Sequence, residues 1–224
     1  MKKKISMTLK ILIFVCSVVG ITLSAITRKS IVTTFMFFTN QSNTWIGLTC
    51  LMLFVINVLE IKQNKVLVKK WMYILKYIFT VSISLTGLVF CVLLAPTSTD
   101  FINPWSIESL LVHVTVPTLS IIDLFIEEKR FDLNLKHTFI ALIPPTWYLL
   151  FSTIGFFCNW DFGYGFNYPY FFLDWGNPVG IFNIKNIEPY LGTFYWIMIL
   201  LILVYSISYL YFALLRKKRC YEYS

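Results

Sequence analysis

The stretch Ile31–Leu59, IVTTFMFFTNQSNTWIGLTCLMLFVINVL, decides the fold class. It runs 29 residues without one acidic or basic side chain. A helix needs roughly 20 mostly apolar residues to cross a hydrocarbon core of about 30 Å, so this stretch is long enough with residues to spare. It lacks the strict alternation that a barrel strand requires. Five other stretches read the same way: 9–26, 71–95, 105–126, 138–157 and 190–215. Of the 224 residues, 58% are hydrophobic and 13% charged, and the mean hydropathy is +0.72. That balance excludes a soluble globular domain, a disordered tail and a secreted disulfide scaffold. The expected fold is all-α: one multi-pass integral membrane domain over 1–224, with six transmembrane helices, in the cell membrane.

The net charge of +8 fits the same topology. Sixteen of the 19 Lys and Arg fall on one side of the six spans. They are Lys2, Lys3, Lys4 and Lys10; Lys62, Lys65, Lys69, Lys70 and Lys76; Lys129, Arg130 and Lys136; and Arg216, Lys217, Lys218 and Arg219. Only Arg28, Lys29 and Lys185 fall on the other. Cytoplasmic loops carry the basic excess, which predicts both termini inside. No basic stretch belongs to a folded soluble module, so nucleic acid is excluded as a partner. Met1–Ala25 also resembles a signal peptide, but its apolar core is long and no clean small-x-small site follows, which favours a retained first helix. Cys16, Cys50 and Cys91 lie in spans, no CxxC or Cys/His pattern exists, and Cys220 reads as a solvated thiol. No metal and no cofactor are expected.

In lipid, the polar residues at membrane depth are the informative ones. His113 lies about eight residues inside the fourth span, roughly 12 Å deep; His137 sits at the basic mouth of the fifth. Ser106, Ser109, His113 and Ser120 share a face of about 60° at 100° per residue, with Asp123 some 80° away. Pro117 removes the N–H that would bond the His113 carbonyl and predicts a kink. The counterpart is Thr39-Asn40-Gln41-Ser42-Asn43 inside the second span. That span runs in the same direction, so Thr39 and His113 reach one level. A hydroxyl and an imidazole at one level form a candidate nucleophile and base, with Asn40 or Asn43 as candidate oxyanion donors. A membrane-helix Thr also commonly bonds the i−4 carbonyl, here Phe35, and the amides serve equally well as interhelical glue. The loop Cys158–Pro189 has ten aromatics among 32 residues and four of the nine glycines, so it should lie on the membrane surface above this level. Its aspartates are Asp161 and Asp174. Asp174 and Asp123 are the candidates for orienting His113.

Phe38-Thr39-Asn40-Gln41-Ser42-Asn43 resembles the F-T-x-Q-S-N signature of a bacterial six-helix integral membrane family. Leu111-Val112-His113-Val114-Thr115-Val116-Pro117 followed by Asp123 resembles its H-x-x-x-P…D segment, and Tyr168-Pro169-Tyr170 through Leu173-Asp174 its Y-P-Y-x-F-L-D loop, with one extra aromatic here. Val89–Pro96 fits the end of its third helix. That family is similar to the eukaryotic androgen-induced membrane proteins, threonine hydrolases of fatty-acid esters of hydroxy fatty acids. The resemblance implies that Thr39 is the nucleophile and His113 its base.

The leading expectation is therefore an intramembrane lipid-ester hydrolase of the threonine type. Its partners would be membrane lipids and an acyl ester entering from the outer leaflet; oligomeric state is not fixed by the sequence. The alternative is a non-enzymatic transporter, lipid-binding or sensing protein in which His113 and Asp123 relay protons or hold a ligand. A blander third option is an assembly factor whose polar faces only join helices.

Overall fold

The computed structural model describes residues 2–97, 103–127, 131–163 and 165–222, without the side chains beyond Lys217. Lys129 and Arg130 lie outside the described residues, as do the side chains of Lys218, Arg219 and Cys220. Among the described residues the chain is helical, and no strand forms beyond an isolated bridge between Ile184 and Leu191. Six helices are long and apolar enough to cross a membrane. They are α1 (Lys2–Arg28), α3 (Phe38–Gln63), α4 (Lys70–Leu94), α5 (Ile107–Ile126), α6 (Leu135–Phe157) and α7 (Thr193–Lys217, continuing helical to Glu222). The short α2 (Ile31–Phe35) precedes α3.

The long second stretch is thus corrected. A single helix over Ile31–Leu59 would span about 43 Å at 1.5 Å per residue, well beyond the hydrocarbon core. The chain instead leaves helix at Met36–Phe37 and restarts at Phe38, with Phe37 extended (φ −96°, ψ 137°). A break at this depth strands backbone carbonyls, and in lipid each must find a donor. Side chains supply them. The Asn40 amide donates to the Thr34 carbonyl at 2.8 Å, the Gln41 amide to Phe35 at 2.9 Å, and the Tyr148 hydroxyl to Met36 at 3.0 Å.

The helix α4 is the most buried of the six spans, and α3, α5 and α7 pack around it. On the far side, α1 closes against α3 and α5. Glycine permits the closest approaches. A Cβ at Gly20 would lie 2.6 Å from Val112, and one at Gly87 would lie 2.9 Å from the His113 carbonyl oxygen. Hydroxyls join α4 to α7: Tyr77 donates to the Ser208 carbonyl at 2.6 Å, and Tyr211 to Ser84 at 3.0 Å. Such bonds supply helix association where lipid removes the hydrophobic drive.

Two of the basic residues counted toward that side, each just inside the end of its span, are interior. Lys10 and Lys76 are fully buried and face Asp123 and Glu127 at the basic end of α5. Lys76 Nζ lies 2.5 Å from each carboxylate; Lys10 Nζ lies 2.8 Å from Glu127 and 3.4 Å from Asp123. Ser6 adds its hydroxyl to Asp123 at 2.5 Å. Two cations against two anions make a neutral knot between α1, α4 and α5, the form in which buried charge is tolerated. The remaining 14 basic residues of that side still outnumber the three opposite. His137 caps its own helix, accepting from the Asn134 backbone N–H at 2.7 Å.

Candidate active site

Thr39 and His113 meet. Thr39 Oγ1 lies 3.2 Å from His113 Nε2, between the first turn of α3 and the middle of α5. The i−4 alternative is closed to Thr39, because the chain break puts Phe35 in a different helix and Gln41 takes its carbonyl. Local backbone explains the position of His113. Residues Leu111–Thr115 form a π-turn, with Val116 N–H bonded to the Leu111 carbonyl, and Pro117 offers no N–H to the His113 carbonyl. A second π-turn, Phe90–Leu94, ends α4 opposite it. The Phe90 ring stacks on the imidazole at 4.1 Å between centroids and 13° between planes.

The tautomer follows from the neighbours. His113 Nδ1 is 3.0 Å from the Ser109 carbonyl oxygen, which can only accept, so Nδ1 carries the proton. Nε2 is then left as the acceptor facing the Thr39 hydroxyl, the state that a general base needs. Ser109 is therefore the positioning residue for His113. Neither Asp123 nor Asp174 takes that part. Asp123 lies ten residues along α5, about 15 Å away at 1.5 Å per residue, locked to the two lysines. The same distance separates the pair that a proton relay would link. The Asp174 carboxylate accepts from the Gly176 N–H at 2.8 Å, and the Asp174 backbone carbonyl accepts from the Thr193 hydroxyl at 2.6 Å, pinning the aromatic loop to the start of α7. Burial without a counter-charge pushes the Asp174 carboxyl above the usual carboxylate range. Asp161 is occupied likewise, accepting from the Gly163 and Gly165 N–H groups.

The amides expected to hold an oxyanion are also committed elsewhere. Asn40 serves the broken helix. The Asn43 amide donates to the Thr39 carbonyl at 2.8 Å and the Val112 carbonyl at 3.0 Å, tying α3 to the turn that carries His113. Their side-chain oxygens are buried and cannot donate in any case.

Other donors stand close to Thr39. Because α3 restarts at Phe38, its first N–H groups lack helical partners. They face two phenols of other elements: Phe38 N–H lies against the Tyr148 hydroxyl and Thr39 N–H against the Tyr170 hydroxyl, which also contacts the Thr39 hydroxyl. Burial raises the Tyr170 phenol above its ordinary range, so it stays protonated and able to donate. The positive end of the α3 dipole points the same way. In the sequence Tyr170 stood out only as part of the aromatic loop and its Y-P-Y motif, with no role attached.

Thr39 is also a wall residue of a half-open cavity. The cavity lies between α3, α4, α6 and α7 under Tyr170 and Phe172, and its lining is almost wholly apolar. The Arg28 guanidinium lies 4.0 Å over the Phe37 ring, which packs edge-on against Tyr170 at 5.8 Å. Compared with family models, curated proteins and solved structures, the chain has no match.

Proposed function

We propose that this chain is an intramembrane esterase in which Thr39 attacks an acyl ester and His113 is the base. The observation that carries the reading is the 3.2 Å contact between Thr39 Oγ1 and an imidazole nitrogen whose opposite nitrogen is held by Ser109. In the first half-reaction the Thr39 oxygen bonds to the ester carbon, and its proton passes to His113 Nε2. His113 then gives that proton to the departing alcohol as the ester C–O bond breaks. In the second half, His113 takes a proton from water, the hydroxide oxygen attacks the acyl-Thr39 carbon, and Thr39 leaves with the proton. The Thr39 backbone N–H and the Tyr170 hydroxyl stabilise the oxyanion formed in each half. The resemblance of the Phe38–Asn43 and His113–Pro117 motifs to threonine lipid hydrolases supports the same assignment. On this reading the chain sits in the cell membrane with both termini inside, and its site opens toward the outer leaflet, where membrane lipids supply the substrate.

Purified protein with a panel of chromogenic acyl esters tests this. Turnover that disappears in Thr39→Ala and in His113→Gln is the expected result; undiminished turnover in both overturns the reading. Tyr170→Phe keeps the ring packed on Phe172, 5.1 Å away, and removes only the hydroxyl. It should lower kcat by about 10²-fold with little change in KM, as losing one oxyanion donor does.

A further inference from the structure

The two sides of Thr39 differ in chemistry, and that difference orients a substrate. His113 and its Ser109 anchor stand on one side. The half-open cavity stands on the other, and neither His113 nor Ser109 borders it. Its hydroxyl-bearing wall residues are Thr39, Thr86, Tyr148 and Tyr170. Thr86 is spent on Ser42 at 2.9 Å and Tyr148 on the Met36 carbonyl at 3.0 Å, leaving the polar character concentrated at Thr39 and Tyr170. The other walls include Leu85, Val89, Leu149, Leu200 and, fully buried, Val204.

The shape comes from α6. Its first part, Leu135–Ile140, packs on α7, with the Phe139 and Tyr205 rings 5.1 Å apart. Helix stops at Ala141–Leu142, ahead of Pro144 and Pro145. Beyond this turn, Ile143–Phe157 packs on the Phe171–Leu173 turn instead, and the cavity occupies the space between α6 and α7. Along α7 the lining runs from Ile197 to Val204, about 10 Å at 1.5 Å per residue.

We propose that this cavity is the acyl-chain subsite and that it selects esters by acyl length. It takes a linear saturated chain on the order of eight to ten carbons, the extended length that its roughly 10 Å depth plus the approach to Thr39 accommodates. The alcohol half departs on the opposite side, because the leaving oxygen must receive its proton from His113. Selectivity therefore follows the acid and is loose for the alcohol. This inference rests on the esterase reading.

The test uses the full chain in digitonin, a detergent without a linear alkyl chain, and para-nitrophenyl esters from acetate to palmitate. The expected result is a kcat/KM optimum at about eight to ten carbons. Val204→Phe fills the floor and should lower the decanoate-to-butyrate ratio of kcat/KM at least tenfold. A second measurement needs no turnover: decanoate, and not butyrate, should raise the Tm of Thr39→Ala, and should fail to do so once Val204→Phe is added. Ester cleavage with no length optimum, or with an optimum that Val204→Phe leaves unmoved, overturns the subsite while the esterase reading stands. Decanoate stabilisation that depends on Val204, with no ester cleaved, supports the subsite and overturns the esterase reading.

Discussion

Thr39→Ala and His113→Gln should each lower ester turnover by about 10³-fold or more, and the double variant should cost little beyond either single one. Members of a nucleophile–base pair act as a unit, so their losses do not add. Thr39→Ser should keep measurable turnover, because the smaller residue still offers a hydroxyl to His113 Nε2. Stability provides the control. Thr39 bonds His113 at 3.2 Å, whereas the joint between α3 and α5 also holds through the Asn43 amide on the Val112 carbonyl at 3.0 Å. Tm should therefore move by only a few degrees in either variant. If Thr39 were only glue between helices, the outcome would reverse: a clear loss of Tm and unchanged turnover. Kinetic and melting measurements on the same preparations separate the two.

Lys76→Met should be the most destabilising single change, costing about 3–5 kcal/mol, the usual penalty for stranding a buried charge. Lys76 Nζ lies 2.5 Å from both Asp123 and Glu127, and all three side chains sit at the joint of α1, α4 and α5. Removing the lysine leaves two carboxylates with Lys10 alone. Adding Glu127→Gln restores one cation against one anion and should recover much of the loss, since burying a balanced pair is far less costly than burying an unpaired charge. The knot lies about 15 Å along α5 from His113, so the protein that remains folded should turn over ester at close to the normal rate. Melting in detergent, with activity assayed below the transition, checks both statements. A Lys76→Met protein as stable as the parent would contradict the account of the knot.

The contrast between the site and the knot shows what a single chain discloses. The level of Thr39 and His113 was legible because two spans of the same direction carry their polar residues equally far from one end, and helical rise converts residue number into depth. The six spans were legible for the same reason. The break at Met36–Phe37 was not, because no Gly or Pro marks Phe35–Phe38. Its trace was the polar run that follows: Asn40 and Gln41, which look like chemistry, complete the carbonyls that the break exposes. Asp174 looked like an orienter because loop acids near a histidine commonly are, yet its oxygens hold a turn together. Ser109 was legible as a polar neighbour of His113 on one face, but not as its anchor, because the closer contact to Nδ1, at 3.0 Å, is made by its backbone carbonyl rather than by its hydroxyl at 3.3 Å. Tyr170 comes from a loop more than 100 residues from Thr39, the cavity draws its walls from four helices and that loop, and the pairing of Lys10 and Lys76 with Asp123 and Glu127 joins three helices. Contacts of that kind have no local period, and only packing reveals them.

The most direct measurement is the site of covalent acylation. The protein is quenched in acid during turnover of a medium-chain ester, digested and read by mass spectrometry. The account predicts an acyl mass on Thr39, absent when His113 is replaced by Gln. An acyl group on another side chain, or steady turnover with Thr39 unmodified and replaceable by Ala, would contradict it.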